Sequence, residues 1–325
     1  MSAVVTAVVP TRDRFAVLET TLRSIRAQSV PVAVVVVDEA SSDRTTERLE
    51  ALGDPDLTVV RNDEPRGVAT ARNIGLAQVR TPWVAFCDDD DVWAPDKVAA
   101  QLAAVEATGA RWSVGGAVLV DEDLHVLDHQ PAIDGAVLGD VLAMNVVPGG
   151  GSGVLADTAF VREAGGFDDG LRNSEDWDLW IRLAQRSPIA GVDRPLVGYR
   201  IWAGSKSRNL ERMVRAWDAI TERYAELAAE HGVVPDLLRH RTYLARQQVR
   251  GGRRLAAAKT YGRLAIEQRD ARSGVRAGAA LLAPSLMDRK GTARATERVP
   301  PSWRRDAEQW LAPLRRPQSL AAGGR

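Results

Sequence analysis

The sequence predicts an α/β protein, a mostly parallel sheet flanked by helices, continued by a C-terminal α-helical extension. Three observations carry that prediction. Apolar runs alternate with helix-period segments over the first 90 residues. Acidic residues stand at three of the predicted strand exits, Asp13, Asp38 and Asp88. The charge balance reverses near residue 204: residues 1–204 hold 18 Lys+Arg and 31 Asp+Glu, residues 205–325 hold 25 and 12.

Val4–Val9 is an apolar run closed by Pro10, and reads as the first strand. Phe15 to Gln28 places Leu18, Leu22 and Ile25 on one helical face. Val32–Val37 is a β-branched run ending at Asp38; Asp43 to Leu52 then predicts a helix. Leu57–Val60, Val68 to Val79 and Trp83–Cys87 read as strand, helix and strand. This βαβαβαβ order is that of a doubly wound parallel sheet, whose strands, covered on both faces, read as continuous apolar runs. Lys97 to Thr108 predicts a helix. Trp112–Val120 and Leu124–Leu127 flank Asp121-Glu122-Asp123 as a hairpin would. Residues 131–153 read as irregular and contain Gly149-Gly150-Gly151-Ser152-Gly153. Thr158–Ala164 predicts a helix stopped by Gly165-Gly166. Asp176 to Arg186 predicts another, and Pro195–Ile201 a strand. Beyond 205 helical periods dominate, at Leu210–Ala229, Pro235–Val249, Arg253–Arg269, Gly274–Leu282 and Trp303–Leu314.

The single cysteine, Cys87, excludes an internal disulfide and a cysteine-based zinc site. No basic segment precedes an apolar stretch as in a signal peptide, and no apolar run nears the roughly 20 residues of a membrane span. The expectation is a cytoplasmic protein.

The chemistry concentrates at Asp88-Asp89-Asp90-Asp91, directly after the apolar run Trp83–Cys87. Like charges repel, and a partly buried carboxylate loses solvation, so such a cluster calls for a cation or strong donors. Ligands of open parallel sheets sit beyond the carboxyl ends of the strands, where the fold gathers Asp13, Asp38 and Asp88.

Six segments, in order, resemble the motifs of family 2 glycosyltransferases with the GT-A fold. They are Pro10-Thr11-Arg12-Asp13-Arg14; Val36-Val37-Asp38-Glu39-Ala40-Ser41-Ser42-Asp43-Arg44-Thr45; Gly67-Val68-Ala69-Thr70-Ala71-Arg72-Asn73-Ile74-Gly75-Leu76; Phe86-Cys87-Asp88-Asp89-Asp90-Asp91-Val92-Trp93; Gly165-Gly166-Phe167-Asp168; and Glu175-Asp176-Trp177-Asp178-Leu179-Trp180-Ile181-Arg182-Leu183. The resemblance implies a GT-A-type, Rossmann-like domain over residues 1–204, with a nucleotide-sugar half at about 1–92 and an acceptor half at about 93–204. A basic α-helical extension follows over 205–325.

It further implies an inverting transfer from a nucleotide-diphosphate sugar of UDP, GDP or dTDP type to a hydroxyl acceptor on a glycan, a lipid-linked sugar or a secondary metabolite. Thr11, Asp13, Asp38, Gly67, Arg72 and Asp88 would bind the donor nucleotide. Asp88 and Asp90 would form the D-x-D pair that holds Mg²⁺ or Mn²⁺, with Asp91 in support and Asp89 facing solvent. Asp176 would take the acceptor proton, with Glu175 as its support or substitute. Trp177, Gly150, Gly151 and Arg200 are candidates for acceptor or sugar contact. One departure stands out: where relatives often carry a metal-binding His, this chain has Trp202, with Lys206 or Arg200 left to steady the diphosphate.

Residues 239–325 hold 20 Lys+Arg against 6 Asp+Glu. Such a balance suits peripheral contact with an anionic membrane, or the acidic part of its own or another subunit in a homo-oligomer. No recognised nucleic-acid motif accompanies it. Two rival readings are a nucleotidyltransferase and a non-catalytic nucleotide-sugar-binding subunit. The first would want a Gly-rich loop with basic phosphate ligands after strand one, and Pro10-Thr11-Arg12-Asp13 is not that; the intact Glu175-Asp176 pair speaks against the second.

Overall fold

Alternation along the first strand, β1 (Val5–Thr11), sets the two faces of the sheet. Val8 enters one core with Ala71, Leu76 and Phe86; Ala7 and Val9 enter the other with Leu18, Leu22 and Ile25. The computed structural model describes residues 3–171, 173–201, 210–250, 253–267, 269, 271–282 and 299–315.

Four parallel strands, β1, β2 (Val32–Glu39), β3 (Leu57–Asn62) and β4 (Trp83–Phe86), are joined by α1 (Phe15–Arg26), α2 (Thr45–Glu50) and α3 (Val68–Gln78). Next come β5 (Val92–Trp93), α4 (Lys97–Thr108), the hairpin β6 (Trp112–Val120) and β7 (Val126–Gln130), and α5 (Leu138–Ala143). A 3₁₀ turn (Gly150–Gly153) leads into β8 (Val154–Asp157), followed by α6 (Thr158–Glu163), α7 (Glu175–Ala184) and β9 (Ala190–Arg200). The sheet runs β3-β2-β1-β4-β8-β6-β9-β5, with β7 also on β6. It is mixed: β8 is antiparallel to β4 and β6, and β9 parallel to β6. The α3 helix lies hard on the sheet because Gly75 has no side chain; a Cβ there would fall 2.3 Å from Val8 Cγ1.

The predicted strands and helices of the first 90 residues are all present. Two differences follow. The stretch read as irregular contains α5 and the 3₁₀ turn, and β8 comes directly after it as a central strand. Its four residues carry no local period; what defines it is pairing with Trp83–Ala85 and Trp112–Val114, both distant in sequence. The strand read as Pro195–Ile201 begins earlier, at Ala190, and its register against β6 shifts around Gly116, opposite Pro195. Proline has no N–H to give a ladder, so the strand continues but its pairing shifts register there.

Past residue 209 the described helices are α8 (Leu210–Arg223), α9 (Ala225–Glu230), α10 (Leu237–Arg250), α11 (Arg254–Glu267), α12 (Ala271–Leu282) and α13 (Pro301–Leu314). Packing crosses the compositional boundary at 204. Trp217 and Ile220 of α8 belong to the first core. Trp303, Ala307 and Leu311 of α13 pack with Val92, Val118 and Val126 of the sheet. Only α10 to α12 share a cluster of their own, around Tyr261 and Leu264. No helix among the described residues is long and apolar enough to cross a membrane.

The Trp217 ring lies between Trp177 of α7 and His240 of α10, with centroids at 5.3 and 4.0 Å. It fastens two C-terminal helices to α7. Trp217→Ala is therefore expected to cost about 3–5 kcal/mol, read as a lower urea midpoint.

Candidate active site

The acidic run leaves β4 with its carboxylates alternating in environment. Asp88 and Asp90 are partly exposed, while Asp89 and Asp91 are buried. The expectation that Asp89 faces solvent is thus corrected. Asp89 accepts from Thr11 Oγ1 at 2.8 Å and Arg14 Nη1 at 3.1 Å, and its carbonyl oxygen accepts from Thr21 Oγ1 at 2.9 Å. Burial, reinforced by neighbouring Asp90, pushes its pKa up to about 6. Asp91 is fully buried; it accepts from Ser152 Oγ at 2.5 Å and from the Arg200 backbone N–H at 2.9 Å. Burial first, then Asp90 and Asp88, drives its pKa well above the carboxylate range. The same Ser152 hydroxyl accepts from the Asp88 N–H at 2.9 Å. Ser152 and Asp91 therefore tie the glycine-rich turn, the acidic run and the end of β9 into one unit.

Asp88 faces Arg72. That arginine, projecting from α3 and nearly buried, donates to Asp88 Oδ1 at 2.6 Å and to Glu175 Oε1 at 2.8 Å. Burial opposes its charge, but Asp88, Glu175 and Asp176 outweigh burial and raise its pKa. Its Nε has no hydrogen-bond partner among the described residues. Gly151 makes room for it: a Cβ there would lie 3.1 Å from Arg72 Nη2. Arg72 so carries the link between the β4 exit and the start of α7.

Asp176 is on the first turn of α7, its Oδ1 accepting from the Trp177 N–H at 2.7 Å. Burial, then the Glu175 charge, raises its pKa to about 6, against the pull of Arg72. Gly150 adjoins it; a Cβ on Gly150 would stand 3.8 Å from Asp176 Oδ2 and 3.8 Å from Tyr199 Cε2. Trp177 is not open to a sugar. It is buried, donates from Nε1 to Val141 O at 2.5 Å and packs on Trp217, because the helical spacing that leaves Asp176 only partly covered turns its neighbour into the core. Arg200 is also buried, its Nε without a hydrogen-bond partner among the described residues, and burial lowers its pKa despite Asp90 and Asp91 nearby. Trp202 and Lys206 lie outside the described residues.

The nucleotide side is built by the β1 and β2 exits. Asp13, at φ 52°, accepts from the Ser42 N–H at 2.6 Å and Oγ at 2.9 Å, bonds that lower its pKa. Asp38 has no exposed surface; it accepts from the Ser41 N–H at 2.9 Å, Arg61 Nη1 at 2.8 Å and Thr46 Oγ1. Glu39 accepts from the Arg66 and Gly67 N–H groups at 2.8 and 2.6 Å, and so aims the turn that starts α3. Sequence reasoning does not single out Glu39, Arg14, Ser152 or Tyr199. Two of them carried a signal: Glu39 is a second acid at a strand exit, and Ser152 is the one polar residue in the run Gly149–Gly153.

The fold that positions these residues has solved counterparts. S. aureus TarS 1–349 in complex with UDP-GlcNAc superposes with a TM-score of 0.58 at 15% identity, covering 96% of this chain and 92% of that one. The fold is that of the GT-A glycosyltransferases. Among curated proteins, succinoglycan biosynthesis protein ExoO of Rhizobium meliloti (strain 1021) is 29% identical over 229 residues, 64% of this chain and 66% of that protein. The putative teichuronic acid biosynthesis glycosyltransferase TuaG of Bacillus subtilis (strain 168) is 29% identical over 213 residues, 63% of this chain and 82% of that protein. Residues 6–160 match the sequence model of glycosyl transferase family 2, and the protein is a glycosyltransferase.

Proposed function

We propose that this chain is an inverting transferase that passes a sugar from a nucleotide-diphosphate sugar, of UDP type, to a hydroxyl acceptor of a surface or secreted glycan. One observation carries the reading: Asp176, on the first turn of α7, stands beside the glycine turn, and its neighbour Glu175 is joined through Arg72 to Asp88. UDP is favoured by the likeness to TarS bound to UDP-GlcNAc, and a glycan acceptor by the names of ExoO and TuaG.

Asp88 and Asp90 fit two positions around a hard divalent cation, being oxygen donors with side chains 32% and 13% exposed. Among the described residues no three His, Cys, Asp or Glu side chains form a closed cage, so diphosphate and water would complete the shell. Bound there, Mg²⁺ or Mn²⁺ would supply Lewis-acid stabilisation of the charge on the departing diphosphate.

The residues divide the remaining work. Arg72 holds Asp88 and Glu175 in place, and its positive charge keeps three neighbouring carboxylates compatible. Asp176 accepts the acceptor's proton as the acceptor oxygen bonds to the anomeric carbon and the bond to diphosphate breaks. Attack from the face opposite the diphosphate inverts that carbon. A thermal-shift panel of nucleoside diphosphates and their sugars, with and without Mn²⁺, is expected to single out UDP and a UDP-sugar. NMR of the product should then show the anomeric configuration opposite to the donor's. Retained configuration would overturn inversion and the role of Asp176 with it.

A further inference from the structure

Arg14 has no part in the mechanism above, yet it occupies one of the two carboxylates assigned to the metal. Its Nη1 lies 3.1 Å from Asp90 Oδ2 and 3.1 Å from Asp89 Oδ1, with side-chain exposures of 23% for Arg14, 13% for Asp90 and 9% for Asp89. Its backbone is set by the start of α1, where its carbonyl accepts from the Val17 and Leu18 N–H groups at 3.0 Å. Asp89 is separately anchored, by Thr11 on its carboxylate and Thr21 on its carbonyl. The guanidinium thus bridges an anchored carboxylate, Asp89, and a slightly more exposed one, Asp90.

We propose that Arg14 is a positioning residue that competes with the divalent cation for Asp90, yielding that carboxylate to the metal while keeping Asp89. A guanidinium and a divalent cation on one carboxylate repel, and partial burial leaves little water to screen them. In the donor-free protein, Arg14 supplies the positive charge that Asp89 and Asp90 require. The diphosphate brings the negative charge that lets a metal join Arg14 in the same cleft. The inference rests on the assignment of Asp90 as a metal ligand in the proposed function.

The test reads metal binding to the whole protein with no donor or acceptor present, by the loss of the free Mn²⁺ signal in electron paramagnetic resonance. Arg14→Gln is expected to tighten Mn²⁺ about five- to tenfold over wild type. Arg14→Lys retains the charge but as a compact point charge without the planar fork, and should fall between the two. A circular-dichroism melt checks each variant; if Arg14→Gln does not fold, the comparison of Arg14→Lys with wild type decides. Equal or weaker Mn²⁺ binding in the folded variants, or no Mn²⁺ binding by any of them, overturns the inference. Because no transfer is measured, it can fail while inverting transfer stands, and stand while a different sugar donor is found.

Discussion

Asp176→Asn is expected to lower turnover by about two to four orders of magnitude while changing donor affinity by no more than a few-fold. The amide keeps the shape of the side chain and the bond to the Trp177 N–H but cannot take a proton. The wild-type pH profile should share the origin of this effect. Burial and Glu175 raise the Asp176 pKa to about 6, so the base is mostly protonated and idle at pH 5 and ionised at pH 7.5. The rate should rise with pH through about 6, and the Asn variant should lose that step. Stability moves the other way. A folded-state pKa raised above the ordinary 3.8 gives stability that is complete below 3.8 and is lost as pH rises through about 6. Asp176→Asn is thus expected to melt a few degrees above wild type at pH 8, with the difference shrinking towards pH 5. Unchanged turnover would remove Asp176 from the role of base.

Arg72→Met should be the most damaging single change in the site. It removes a nearly buried cation from between Asp88 and Glu175, bonded to them at 2.6 and 2.8 Å, and leaves both carboxylates and Asp176 crowded without a counter-charge. Breaking a buried ion pair in this way costs about 3–5 kcal/mol, read by urea unfolding. The second readout is electrostatic. Arg72 pulls the Asp176 pKa down. Without it the midpoint of the pH–rate profile should move above 6, so residual activity recovers at higher pH. Arg72→Lys retains the charge but not the fork that reaches two carboxylates, and should recover the pH midpoint more fully than the stability. A midpoint unmoved in both variants would show that Arg72 does not act on the base.

Several of these features were legible in the chain before any fold was known. Continuous β-branched runs between helix-period segments predict the parallel half of the sheet, because strands covered on both faces need apolar side chains on both. The strand-exit rule places Asp13, Asp38 and the acidic run on one edge without any contact being known. Local pattern also marks Glu175 and Asp176 as the start of a helix. It does not show that Trp177, the next residue, turns inward onto Trp217, a residue of the region whose composition reads as separate.

What the sequence by itself determined is the order of elements and the acids that end them, since both follow from local periodicity and from where a strand must stop. Only the tertiary structure decided the division of labour within the acidic run. The D-x-D resemblance picks out Asp88 and Asp90, but four identical side chains in a row carry no sequence signal of what surrounds each one. Their roles come from Thr11 and Arg14 closing on Asp89, from Ser152 and the Arg200 N–H closing on Asp91, and from Arg72 and Arg14 meeting Asp88 and Asp90. Those partners come from β1, the start of α1, α3, the glycine turn and β9, and only the folded sheet brings them within hydrogen-bonding distance. Burial then separates carboxylates that are chemically the same, because it is the surroundings, and not the side chain, that set the cost of carrying a charge.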